Sequence, residues 1–257
     1  MTIAAGTTYK QTWVTRFGTF DALHWEEIFD SEDKRFGIPD VLRMPLPHPL
    51  PKAFIDWPHR KSFPDGAGLH FFVDDYQFER VWNHPHWYVN EFKKRHPLIF
   101  SPQFSVFIGM PPVMAQWNTY RNRWLCRWYQ SQGVTTIPTI AWGDESSFEF
   151  AFLGIPKCSV VAITTIGRKT ANERANGAWD AGFVAAIEAI DPELVFVVGP
   201  KMGADLERLV EVQYFDSHRS QRLKAIREFE KATGQKTKRT RSPKKDFVID
   251  WTAKNED

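Results

Sequence analysis

The sequence predicts an α/β fold built on a parallel sheet, and three observations carry that expectation. Seven short apolar runs, rich in β-branched and aromatic residues, alternate with segments of helical periodicity. The helical segments bring their own start and stop signals, among them Pro112, Gly133 and the pair Asp191-Pro192. No run is followed by G-x-G-x-x-G or G-x-x-x-x-G-K-[ST]. A complete or incomplete TIM-like βα barrel therefore fits better than a doubly wound sheet with a dinucleotide or P-loop site.

Residues 1–51 read as an N-terminal arm closed by the connector PLPHPLP, whose alternating prolines force extended backbone. The barrel-like body is expected over residues 52–218, and a basic helix and tail over 219–257. The first strand is AFIDW (53–57), stopped by Pro58. LHFFVDDY (69–76) is the second, running into the helix QFERVWNHP, which Pro85 breaks. HWYVNEFKKR is a further helical piece with basic residues in its last turn, where they complement the helix dipole. The third strand centres on residues 98–100, is interrupted by Pro102 and resumes in FSVFIGM (104–110). A helix over residues 112–132 sets Trp117, Tyr120 or Arg121, Trp124 and Trp128 on one face.

Residues 135–142 form the fourth strand, 146–153 a short helix and 158–165 the fifth strand. Residues 173–190 are an amphipathic helix with Ala178, Phe183, Ile187 and Ile190 inward. ELVFVVGPK is apolar throughout, as a strand buried on both faces must be, and is the sixth. A short helix at 205–209 leads to the seventh, VEVQYFD. SQRLKAIREFEKATG is a helix with a Gly stop. QKTKRTRSPKK beyond it lacks apolar periodicity and is expected to order only on an anion, and the closing FVIDW fits an edge strand.

Net charge is only +2 over 257 residues, but it is unevenly placed. Residues 217–245 hold eleven Lys or Arg and two Glu, leaving twenty-two basic against twenty-nine acidic residues elsewhere. Such a split suggests a polyanion-binding tail made of Lys236, Lys238, Arg239, Arg241, Lys244 and Lys245. Nucleic acid, DNA first, is the expected partner. Cys126 and Cys158 are the two cysteines; without C-x-x-C spacing they indicate neither a disulfide framework nor a zinc site. H-x-H at His84 and His86 is a weak metal signal and reads better as a surface turn. Neither a metal nor a cofactor is implied. No apolar run approaches a bilayer span and the first residues lack a signal-peptide core, so a cytoplasmic protein, in the cytosol of a host cell, is expected.

In parallel α/β sheets ligands sit at the carboxyl ends of the strands. Those ends supply Asp56 and Trp57; Asp74, Asp75 and Tyr76; Ser101 and Gln103; Thr139 and Trp142; Thr164, Thr165 and Arg168; Lys201; and Asp216 with Ser217 and His218. Carboxylates, hydroxyls, cations and two indoles on one face could hold an aromatic ring and use an acid as base or nucleophile. Each has a structural alternative. A strand-end Asp commonly caps the next helix, which for Asp74 outweighs catalysis and for Asp216 balances it. Thr164 and Thr165 are strand formers first. Tyr120, Arg121, Asn122 and Arg127, with the Trp stripe, could stack on bases, although such a helix more often buries its indoles and lets its Arg residues snorkel.

The segments SPQFSVF, YRNR, IPTIAWGDE with F-x-GIPK, SVVAITTIG and FVVGPK, in this order, resemble an uncharacterised family of phage, plasmid and integrative-element proteins known as domain of unknown function 4417. The resemblance covers about residues 54–216, and this chain has Gln103 where many members carry Asp. A more distant likeness is to the βα-barrel tRNA-guanine and phage DNA 7-deazaguanine transglycosylases, through F-S-x-x-F-S-V-F, I-P-x-x-x-W, I-G-R-K, V-V-G-P-K and F-D-S. That likeness implies cleavage of a base–sugar bond with Asp216 in the nucleophile's place. The acid of that family's D-S-G-x-F motif falls on Phe100, and its zinc-binding cysteines have no counterpart here.

The enzyme expected from these residues acts on an extruded base. Asp216 is its nucleophile or base, and Asp56 and Asp74 are supporting acids. Trp57 and Trp142 stack on the base, and Ser101, Gln103, Tyr120, Arg121, Asn122, Thr165, Arg168 and Lys201 contact substrate. The alternatives are a DNA-binding accessory protein without catalysis and a protein-binding inhibitor.

Overall fold

The computed structural model describes residue 24 and residues 27–62, 65–166 and 173–233. The tail, the FVIDW segment and Arg168 lie outside them. Seven strands follow the seven apolar runs: β1 Phe54–Asp56, β2 Gly68–His70, β3 Ile99–Phe100, β4 Thr136–Ile137, β5 Val160–Thr164, β6 Leu194–Val198 and β7 Val212–Phe215. The helices are α1 Glu79–Asn83, α2 Val89–Arg95, α3 Pro112–Ser131, α4 Phe148–Ala151, α5 Glu173–Ile190, α6 Ala204–Glu207 and α7 His218–Thr233.

All pairings are parallel and follow chain order, in a four-stranded sheet β1-β2-β3-β4 and a three-stranded sheet β5-β6-β7. A parallel bridge between Thr139 and Ala162 joins them, with Ile140 donating to the Ala162 carbonyl at 3.0 Å and Ala162 to that of Pro138 at 2.9 Å. Among the described residues no ladder joins β7 to β1.

Period-two alternation sorts the strand side chains into an inner and an outer layer. Phe54, Phe100, Ile137, Ala162, Phe196, Val198 and Phe215 form one buried cluster that draws on both sheets. The rings of Phe54 and Phe215, on the first and last strands, lie 4.5 Å apart, and those of Phe100 and Phe196 5.5 Å. Strands in consecutive order can bring these rings together only by curling toward one another. Outside, Ile55, Leu69, Phe71 and Ile99 pack on Trp82, Phe92, Trp124 and Tyr129 from α1 to α3, while Val161, Ile163, Val195 and Val197 pack on Phe183, Ala186 and Ile190 of α5.

Several strands end earlier than their apolar runs, each for a local reason. β2 stops at His70 because Phe72 donates to the Nδ1 of that ring at 3.2 Å and Val73 closes a turn on the Phe71 carbonyl. FSVFIGM does not resume β3. The Asn122 side chain takes both backbone groups of Phe104, accepting from its N–H at 2.6 Å and donating to its carbonyl at 3.0 Å, so the segment runs on as a loop. β4 is cut at Pro138, which has no N–H for a ladder. α3 starts with Pro112 and is followed by Gly133 at φ 73°, the left-handed stop that glycine adopts without strain.

Candidate functional site

Asp56 ends β1 and occupies the N-cap position of a single turn over Trp57–His59, yet its carboxylate makes no cap hydrogen bond. It turns instead to His59, with Oδ1 2.6 Å from Nδ1; the two side chains are 15% and 46% exposed. Across the β1–β2 ladder Asp56 is in register with His70, and alternation places both on the side of Phe54 and Phe72. His70 is buried at that position.

Asp216 follows β7 directly, and it is not a cap either. Ser217 does that work, its Oγ accepting from the N–H of Ser220 at 3.2 Å. The Asp216 carboxylate, 44% exposed, pairs with Lys224 of α7 at 2.5 Å. Gln221 of the same helix donates through Nε2 to the Asp216 carbonyl at 2.8 Å and to the Phe54 carbonyl at 3.2 Å. One amide therefore ties the end of β7 to β1, two residues before Asp56.

Other expected site residues are placed differently. Trp57 is buried, its indole N–H donates to the Gln77 carbonyl at 2.9 Å, and its faces meet the ring of Phe71 and the guanidinium of Arg60. Trp142 is buried against α5, with its N–H on the Trp179 carbonyl at 3.2 Å. Neither indole presents a face on which an extruded base could stack. Ser101 shares a hydrogen bond with the Thr139 hydroxyl at 3.0 Å and accepts from the Thr139 N–H, stitching β3 to β4. Asn122 clamps Phe104 as described, and Thr165 donates to the Pro200 carbonyl at 2.7 Å.

The Trp and Arg helix faces inward. Trp124 and Trp128 are core, and Tyr120 stacks on Trp117. Arg121 lies over the Phe104 ring at 3.5 Å, donates to Asn118 and pairs with Glu79 at 3.0 Å. Arg123 is wholly buried. These guanidinium groups serve the fold rather than a nucleic-acid face. Asp74 is exposed, with Gln77 3.4 Å away, while its neighbour Asp75 accepts from the N–H and hydroxyl of Ser105. Gln103 has its Oε1 buried without a hydrogen-bond partner. Lys201 is exposed, 5.8 Å from the Tyr214 ring.

His59 and His70 escaped the sequence reading. For His70 the signal was the alternation of β1 and β2, which puts it on one face with Asp56 once the register is known; His59 lies in the turn after β1, three residues from Asp56. Among the described residues no three His, Cys, Asp or Glu side chains are grouped to hold a metal ion, and no helix is long and apolar enough to cross a membrane.

The profile of a family described as Domain of unknown function (DUF4417) matches residues 31–216. The Gene 1 protein of Mycobacterium phage L5 is 32% identical over 225 residues, which cover 86% of this chain and 96% of the phage protein. The Gene 1 protein of Mycobacterium phage D29 is 32% identical over 223 residues, covering 86% of this chain and 81% of the relative. No solved structure matches.

Proposed function

The chain belongs to the DUF4417 family, with phage Gene 1 proteins among its relatives, and from that premise we propose that it acts on nucleic acid by breaking a base–sugar bond. One observation carries this proposal: Gln221 joins the carbonyl of Asp216 to that of Phe54, two residues before Asp56, and neither aspartate is consumed as a helix cap. Strand-end aspartates that do not cap lose their commonest structural role. The curled, chain-ordered strands are taken as an incomplete βα barrel, whose carboxyl-end face is where such folds hold ligands. Asp216 acts at the anomeric carbon, and Asp56 supports it. DNA in the host cytoplasm is the substrate we favour, because α7 and the residues after it are strongly basic.

The test is mass spectrometry of released bases after the protein is incubated with phage and host DNA and RNA. Release that disappears in Asp216→Asn while DNA still binds is the expected result. Equal release by the variant removes Asp216 from the chemistry.

A second reading, DNA binding without catalysis, is favoured by the basic segment 217–245 alone. It predicts a gel shift that weakens steeply with salt, no released base, and loss of affinity when residues 236–245 are deleted. Unchanged affinity of the deletion at low salt would count against it.

A further inference from the structure

Independently of the base–sugar reading, we propose that the loops after β2, β3 and β4 form a docking face for a basic, amphipathic segment of another protein. The three strands are neighbours in one parallel sheet, so the loops at their carboxyl ends lie side by side. Hydrogen bonds join them. Asp75, after β2, accepts from the N–H and hydroxyl of Ser105, after β3, and Asp144, after β4, accepts from the N–H of Gly109 at 3.3 Å.

The middle loop and the start of α3 present apolar side chains to solvent. Val113 is 71% and Met114 51% exposed, and Phe107 and Trp117 are open as well. The Phe107 carbonyl closes a turn on the Met110 N–H just before α3. Val113 and Met114 stand four and three residues before Trp117, which makes the three helical neighbours. Trp117 stacks on Tyr120 at 5.6 Å and meets the Trp82 ring edge-on at 5.6 Å, so its indole needs little further ordering to serve as an anchor. Large exposed apolar side chains grouped in this way mark an interaction site, unlike ones scattered singly.

Charge selects the partner. Asp74 and Asp75 flank the apolar group on the β2 side, Asp144 and Glu145 on the β4 side. Residues 71–79, 101–120 and 141–148 contain no Lys or Arg. The hydrogen bonds to these carboxylates come from neutral groups, Gln77 for Asp74, Ser105 for Asp75 and Ser146 for Asp144. Arg121, over the Phe104 ring, is already paired with Glu79 at 3.0 Å. Such a face repels a polyanion. It suits a helix with apolar anchors along one stripe and Lys or Arg on either side of it.

The experiment titrates the full chain with two synthetic amphipathic helices, one of Leu and Lys and one of Leu and Glu, read by calorimetry and amide NMR. The Leu/Lys helix is expected to bind, with shifts centred on residues 104–117 and an affinity that falls with salt. The Leu/Glu helix is expected not to bind. Val113→Ser with Met114→Ser should weaken binding about tenfold or more, as loss of anchors does, while melting curves stay near wild type because both positions are exposed. Asp74→Lys with Glu145→Lys should weaken it and flatten the salt dependence. Equal binding of both helices, shifts elsewhere, or full affinity in the serine variant would overturn the proposal. So would a DNA duplex that shifts the same amides. Self-association abolished by the serine variant would give the face to a second copy, and binding that requires removal of residues 1–23 would give it to this chain's own segment; either result overturns the assignment.

Discussion

Replacing Arg123 by Met should destabilise the fold, because this side chain holds three main-chain carbonyls around α3. Its guanidinium is 1% exposed and donates Nε to the Leu153 carbonyl at 2.8 Å, Nη1 to that of Thr139 at 2.8 Å and Nη2 to that of Ala151 at 2.7 Å. Burial pushes its pKa down to about 10, which still leaves it charged at neutral pH. Met fills much of the volume and strands three acceptors. A stranded buried acceptor costs about 1–3 kcal/mol, while removing the buried cation returns part of a desolvation penalty of several kcal/mol. We expect a net loss of about 3 kcal/mol, a large fraction of the roughly 5–15 kcal/mol that holds a domain together. Arg123→Lys keeps the charge, but one ammonium cannot span three carbonyls, so it should fall between. Urea unfolding followed by far-UV circular dichroism reads both changes. An Arg123→Met protein within about 0.5 kcal/mol of wild type, the range of ordinary surface changes, would refute the role given to this side chain.

Asn122→Leu strands both backbone groups of Phe104 and should cost about 2 kcal/mol. Amide exchange should rise first in residues 104–110, and uniform exchange there would count against the clamp. Gly182→Ala would put a methyl 2.2 Å from the Trp142 indole, so repacking of about 1–3 kcal/mol is expected with a changed near-UV spectrum; an unchanged melting temperature would mean that α5 stands off that ring. Burial lowers the pKa of His96, which bonds the Ala67 carbonyl through Nδ1. The unfolded chain takes up this proton near pH 6.5 and the native one only at lower pH. The His96 contribution is thus intact above about pH 6.5 and lost as pH falls below it. Urea midpoints at pH 7.5 and 5.5 should fall further for wild type than for His96→Gln, and equal falls would assign the acid sensitivity elsewhere.

The strands were legible because burial on both faces writes a continuous apolar run, which needs no knowledge of neighbours. Their ends were not, since side chains elsewhere in the chain decide them: His70 takes the Phe72 N–H, and Asn122, eighteen positions on, takes Phe104. The same limit governed the site. Asp56 and Asp216 could be found from their place after an apolar run. Trp57 and Trp142 have the same placement, and only packing reveals that Phe71 and Arg60 cover one while α5 covers the other. For His59 and His70 the sequence spacing was visible, but the Asp56–His70 register was not.

A polar group that already serves the backbone cannot be lent to a substrate without stranding its partner, and most polar groups near the strand ends are so engaged. Ser101, Asn122, Arg123, Asp75, Thr164 and Thr165 each answer a main-chain N–H or carbonyl. The carboxylates of Asp56 and Asp216 also pair with side chains, those of His59 and Lys224, and the Asp216–Lys224 contact is open to solvent. Exposed ion pairs contribute only about 0–1 kcal/mol, so a ligand can replace such a partner at little cost. Lys224 also belongs to α7, which carries Arg219, Arg222, Arg227 and Lys231 as well. Under the proposed function, a phosphate drawing on Lys224 and a base reaching Asp216 would use the two halves of a single ion pair.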